Sequence, residues 1–162
     1  MLRHFALAFS VAVTPLALHA QDLGIAVGAV APAVALETLE GKPANLAQYI
    51  GKGPVLIEFW ASWCPNCKLL EPKLQAAAKK YAGKVQMVAV AVSVNQSVER
   101  AKRYQAAHKL PVTMLYDRKG DASEAYEAPA TSYIVVVNKA GKVVYTGAGG
   151  DQDLDAAIRK AL

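Results

Sequence analysis

Cysteine is scarce in this chain: 162 residues contain two, Cys64 and Cys67, and both fall inside one C-x-x-C. That scarcity excludes a scaffold stapled by disulfides, which separates its cysteines to close long loops. A pair that closes so short a loop reads as reactive. Long apolar runs are lacking as well. The run from Phe5 to Val13 falls short of the roughly 20 residues that span a bilayer, and Thr14-Pro15 breaks it. With Arg3 ahead of it and Leu18-His19-Ala20 behind as a small-residue cleavage site, residues 1–20 read as an export leader. Residues 21–162 then form one domain. No cysteine lies near that junction, so a lipidated attachment is not expected. Dense basic stretches interleaved with aromatics are missing too: Lys and Arg total 18 against 13 Asp and Glu, and aromatics make up 7%. Lys68, Lys73, Lys79, Lys80 and Lys84 read as a solvated helix face, so nucleic acid is not an expected partner. Repeats and low-complexity segments are absent.

What is present suits a globular domain, with 54% hydrophobic and 19% charged residues. Residues 33–50 read as a short hairpin turning at Glu40-Gly41-Lys42, followed by a helical turn around Asn45 to Tyr49. Val55 to Trp60 is an apolar run of the length of a buried strand, interrupted by one acid. After the cysteines, Leu69, Leu70, Leu74, Ala77, Ala78 and Tyr81 recur at helical spacing, predicting a helix from about Cys64 to Ala82 that stops at Gly83. Pro72 would kink that helix, unless the helix starts later and holds the proline in its first turn. Residues 85–92 read as a second buried strand, and Ser97 as the cap of a helix reaching His108. Residues 111–116 can form a strand and 121–126 a helical turn. The runs 131–137 and 142–146 read as a terminal hairpin, and Asp151 or Asp153 caps a last helix to Leu162. This alternation predicts a three-layer α/β domain.

The chemistry follows from the spacing. Thiol-disulfide exchange needs one thiolate to attack and a second thiol near enough to resolve the mixed disulfide. At the start of a helix the first cysteine meets free N–H groups and the positive end of the dipole. Cys64 is therefore the expected attacking thiol, with a lowered pKa, and Cys67, facing inward, the resolving one. Glu58 sits inside an apolar strand, where an ionisable group is costly unless it is paired or has a task. It could accept the proton of Cys67 as a general base; the alternative is a carboxylate at a solvated edge, paired with a lysine. Trp63 is a candidate docking surface for a partner, whereas Trp60 reads as core.

The segment Val55-Leu56-Ile57-Glu58-Phe59-Trp60-Ala61-Ser62-Trp63-Cys64-Pro65-Asn66-Cys67-Lys68 closely resembles the active-site segment of the thioredoxin superfamily. That resemblance implies a thioredoxin fold with a central mixed sheet. It makes Glu58 the buried proton acceptor and Pro72 the helix-kinking proline. Residues 33–53 resemble the N-terminal hairpin of the exported TlpA-like branch, and 97–117 its extra helix and strand. The branch implies reduction of protein disulfides in the bacterial periplasm, as in apocytochrome or copper-site maturation, with electrons from a membrane thiol reductase. No cofactor beyond the redox-active Cys64-Cys67 disulfide is implied, and a monomer is expected. Two departures stand out. The family usually has proline directly before the second cysteine; here Pro65 is second and Asn66 third, an order shared with oxidising relatives, so a disulfide-introducing oxidant is the alternative direction. The family also has a cis-proline facing the cysteines, whose surroundings hold the partner peptide. Pro129, with Thr131, is the candidate here, although a gapless count from Tyr126 to Gly141 puts Ser132 in that slot; the alternative is that the bond is trans and the partner-binding edge altered. A third reading is a copper chaperone holding Cu(I) between Cys64 and Cys67. A zinc site, which wants four ligands, is not expected, because removal of His19 with the leader leaves two cysteines and His108, and His108 reads as a helix C-terminal residue meeting the last carbonyls.

Overall fold

The structure, a computed structural model, describes residues 24–162, so the leader at 1–20 lies outside the described residues. Strands β1 (Ala35–Thr38) and β2 (Pro43–Asn45) form a hairpin whose turn holds Gly41 at φ 79°, a conformation in which glycine is free of Cβ strain. A 3-10 turn, Leu46–Gln48, follows, capped by the side chain of Asn45. Next come β3 (Val55–Trp60), α1 (Pro65–Lys80), β4 (Gln86–Val92), α2 (Val98–His108), β5 (Thr113–Asp117), α3 (Asp121–Ala125), β6 (Tyr133–Val137), β7 (Val143–Ala148) and α4 (Leu154–Arg159).

The seven strands make one mixed sheet in the order β2-β1-β5-β4-β3-β6-β7. The pairs β3–β4 and β4–β5 are parallel, as crossover helices require, and β3–β6 and β6–β7 are antiparallel. β3 is thus flanked on both sides, and all six of its residues are buried. Alternation sends Val55, Ile57 and Phe59 to one face, where Phe59 packs against Tyr126 and Tyr133 at ring separations of 5.4 and 5.9 Å. Leu56, Glu58 and Trp60 point to the other. There Leu56 packs with Leu70 and Leu74 of α1 and Ile158 of α4, while Trp60 meets Tyr104 of α2 at 5.1 Å. Helices therefore cover both faces: α1, α2 and α4 on one, α3 on the other. This is the thioredoxin-like three-layer fold, with the N-terminal hairpin and the extra helix-strand pair α2–β5 in place.

Several boundaries differ from the sequence reading. α1 runs without interruption through Pro72, so the alternative of a later start fails. Pro65, at the first helical position, has no N–H to lose, and its ring-fixed φ suits a helix start. β6 begins at Tyr133 rather than 131, because Ser132 turns the chain with φ 63°. Asp153, not Asp151, caps α4, its side chain accepting from the N–H of Ala156 at 2.9 Å.

Candidate active site

The site lies where β3 ends and α1 begins. Ala61, Ser62 and Trp63 carry the chain out of the sheet, and Cys64 takes the N-cap position with extended backbone. Its Sγ accepts a hydrogen bond from the Cys67 N–H at 3.0 Å. A cap of this kind is where a helix offers unpaired N–H groups and its positive end, so a thiolate formed here is stabilised. Cys64 and Cys67 are joined as a disulfide, their Cα atoms 5.3 Å apart. In this oxidised form both belong to the core, with Cys64 at 2% and Cys67 at 6% exposure. Cys67 thus faces inward as expected, and Cys64 is buried beside it.

Glu58 lies one strand face below. It is 4% exposed, and its carboxyl makes no ion pair among the described residues, which removes the solvated-edge alternative with its lysine partner. Burial, with a smaller repulsion from Glu71, raises its pKa from 4.5 to about 8. A small cavity of about 10 Å³ is lined by Glu58, Trp60, Cys67, Glu71, Tyr104 and others, so the acid and the second cysteine share one wall. That volume is close to the least that holds a single water molecule.

Trp60 is buried at 2% exposure, its indole Nε1 without a partner. Trp63 is 39% exposed, and its Nε1 donates to the Val94 carbonyl at 2.9 Å. Val94 and Leu69 are exposed as well, which sets an apolar rim on the same end of the molecule as the cysteines. The expected division between a core Trp60 and a surface Trp63 is what the structure has.

Of the two alternatives for Pro129, the structure has the trans bond, and the cis-proline expectation fails. Among the described residues every peptide bond is trans, and Pro129 is an exposed residue of the connection leading to β6. Ser132 is the residue at the head of β6. Its N–H donates to the Phe59 carbonyl at 2.8 Å, and its carbonyl accepts from the Gly149 N–H at 3.1 Å and from Gln152 Nε2 at 3.1 Å. Its Oγ donates to the Gly149 carbonyl at 2.9 Å. A non-proline cis bond carries a penalty of about 3 kcal/mol, and the chain turns here through a left-handed serine held by four hydrogen bonds instead. Thr131, just before it, is half-buried.

Two residues escaped the sequence reading, Glu71 and Tyr104, and a third, His108, has a different partner from the one expected. Glu71 receives the Tyr104 hydroxyl on Oε2 at 2.7 Å and pairs with His108 Nδ1 through Oε1 at 2.8 Å. The Tyr104 and His108 rings stack at 3.9 Å. His108 was expected to reach helix-end carbonyls, and it turns to this carboxyl instead. A signal existed for Glu71: it follows Cys67 by four residues, which puts both on one helix face. Nothing in the sequence marks Tyr104. No cluster of three or more His, Cys, Asp or Glu that could hold a metal ion occurs among the described residues.

A dithiol-disulfide pair at a helix N-terminus, over a buried acid on the central strand, defines a thiol-disulfide oxidoreductase of the thioredoxin superfamily. The relatives agree. Residues 26–162 match the Redoxin family model, and the chain belongs to that family. The chain is 33% identical over 117 residues to the thioredoxin-like protein YneN of Bacillus subtilis, covering 71% of this chain and 68% of that one. It is 29% identical to the thiol-disulfide oxidoreductase ResA of Geobacillus thermodenitrificans, covering 83% of this chain and 77% of that one. Its fold matches the thioredoxin domain of a thiol-disulfide oxidoreductase from Bacteroides vulgatus with a TM-score of 0.73 at 23% identity, over 85% of this chain and 99% of that one.

Proposed function

We propose that this enzyme reduces protein disulfides outside the cytoplasm, with Cys64 as the attacking thiol, Cys67 as the resolving thiol and Glu58 as the acceptor of the Cys67 proton. The observation that carries the reading is the shared cavity wall of Cys67 and Glu58, with Cys64 Sγ on the helix cap. Cys64 thiolate attacks a partner disulfide, releasing one partner sulfur and forming a mixed disulfide. Cys67 then gives its proton to the Glu58 carboxylate, and its sulfur attacks Cys64 Sγ. The partner leaves as a thiolate that takes a proton from solvent. The partner gains two electrons, and the cysteine pair loses them as it closes to the disulfide.

Electrostatics supports this direction. An oxidant of this class is strong because its reduced form is stabilised. Here a single backbone N–H reaches Cys64 Sγ, no basic side chain hydrogen-bonds to either sulfur among the described residues, and a buried acid stands beside Cys67. All three disfavour an extra thiolate, which favours the disulfide and so a donor of electrons. The exposed rim of Trp63, with Thr131 and Pro129 on the chain entering β6, is the surface offered to an extended partner segment. Export by the leader at 1–20 leaves 21–162 as the working domain in the periplasm, as a monomer recharged by a membrane thiol reductase. No helix of the described residues is long and apolar enough to cross a membrane.

Two measurements test the reading. The reduction potential should fall near about −270 mV rather than about −120 mV. A Cys67→Ala variant should trap partner proteins as mixed disulfides through Cys64. A potential at the oxidising end would reverse the direction, and trapping that requires Cys67 instead would exchange the two cysteine roles.

A further inference from the structure

The mechanism above leaves the cluster between α1 and α2 unused. Glu71 lies one helical turn beyond Cys67 and lines the cavity that Glu58 and Cys67 share. Both of its carboxyl oxygens are engaged, Oε2 by the Tyr104 hydroxyl and Oε1 by His108, with Gln75 Nε2 a weaker donor to Oε1 at 3.3 Å. Tyr104 is itself fixed between the Trp60 ring at 5.1 Å and the His108 ring at 3.9 Å. The carboxyl is therefore held in one orientation, with its side chain 15% exposed. Every titratable group facing the cavity can be named: Glu58 from β3, Cys67 and Glu71 from α1, and Tyr104 from α2, with His108 behind Glu71. Ala89 from β4 and Leu110 bring no charge. Among the described residues neither Glu71 nor Glu58 pairs with a lysine or arginine.

We propose that Glu71 is a positioning residue for the exchange reaction: its carboxylate, anchored by Tyr104 and His108 on the wall it shares with Glu58, sets the proton affinity of Glu58 and thereby the pH range in which Cys67 resolves the mixed disulfide. The inference rests on the reading of Glu58 as the proton acceptor. Its physical basis is the repulsion between two carboxylates across a small, water-poor space, which favours the protonated form of the more buried one. The anchor matters because a free side chain on α1 would swing to solvent, where water would screen its charge. A solvated carboxylate lining no shared cavity would leave Glu58 to burial alone.

The test is a Glu71→Gln variant, whose amide oxygen still accepts the Tyr104 hydroxyl and so keeps the packing while removing the charge. The ionisation of Glu58 is followed by carboxyl carbon NMR in the oxidised protein, its signal assigned from its loss in Glu58→Gln. Resolution is followed by stopped-flow release of the second thionitrobenzoate when reduced protein meets Ellman's reagent. Both midpoints should move together to lower pH by about one unit in Glu71→Gln, giving about five times more ionised Glu58 at pH 7. Glu71→Asp, which restores the charge, should move them back toward the wild type. Unmoved midpoints in Glu71→Gln would overturn the inference while the reading of Glu58 stands. If Glu58→Gln resolves as fast as wild type at every pH, the reading of Glu58 itself falls, and the inference with it.

Discussion

Replacing Glu58 by Gln should make the oxidised protein more stable and a poorer catalyst. In the unfolded chain this carboxyl ionises near 4.5; in the folded one, burial first and Glu71 second keep it protonated to about 8. Below 4.5 both states hold the proton and no difference arises. Between those values the folded state binds a proton the unfolded state has lost, so stability falls as pH rises, and above 8 the loss is complete. Each pH unit within the window corresponds to about 1.4 kcal/mol, which places the loss near 3 kcal/mol at pH 7 and near 5 kcal/mol at its limit. Glutamine keeps the shape of the side chain and cannot ionise, so the variant lacks this slope. The assay is guanidinium denaturation of oxidised wild type and variant from pH 5 to 9. The stability difference should be under about 1 kcal/mol at pH 5, rise to about 3 kcal/mol at pH 7 and flatten above pH 8. A difference that does not change with pH would refute the account of Glu58 as a buried acid held protonated. Higher stability with slower resolution is the trade expected where a strained group serves the chemistry.

Two further outcomes follow from the scaffold. Gln152 donates through Nε2 to the carbonyls of Ser132 and Gly149, at 3.1 and 2.7 Å. Gln152→Leu should therefore cost about 2 kcal/mol in denaturant unfolding and speed hydrogen exchange at the Gly149 amide, which bonds to Ser132; unchanged exchange there would show that the serine turn does not depend on this side chain. Ser97 caps α2 by accepting from the Arg100 N–H at 3.3 Å. Ser97→Ala should lower stability by about 1 kcal/mol, and a loss of much less than half that in calorimetry would mean the cap is solvated instead.

The strands and helices were legible because each carries its own period. Val55 to Trp60 is apolar but for Glu58, as suits a strand with neighbours on both sides and helices on both faces. The Leu70-Leu74-Ala77-Ala78 spacing marks the stripe that α1 buries. Cys64 and Cys67 stand out by their spacing and Glu58 as the one acid in an apolar strand, and the fold brings Glu58 and Cys67 to one cavity. The turn at Ser132 was not legible, because a left-handed serine is selected by partners far along the chain, Phe59, Gly149 and Gln152, and proline at 129 offered a stronger local signal. Tyr104 and His108 were hidden for a related reason. They lie some thirty residues beyond Glu71, and only the packing of α2 against α1 brings them to its carboxyl.

The helix cap at Cys64 has a consequence for the two residues between the cysteines. The first turn of α1 can present amides to the sulfur, and the residues at 65 and 66 decide how many exist. Pro65 contributes none, so the anion-holding capacity of this helix end rests on the peptide groups of Asn66 and Cys67, of which the latter reaches the sulfur. Shifting proline by one position would delete a different amide. The amide that reaches the sulfur belongs to Cys67, so a proline at either inner position leaves that contact in place and changes only the amide beside it.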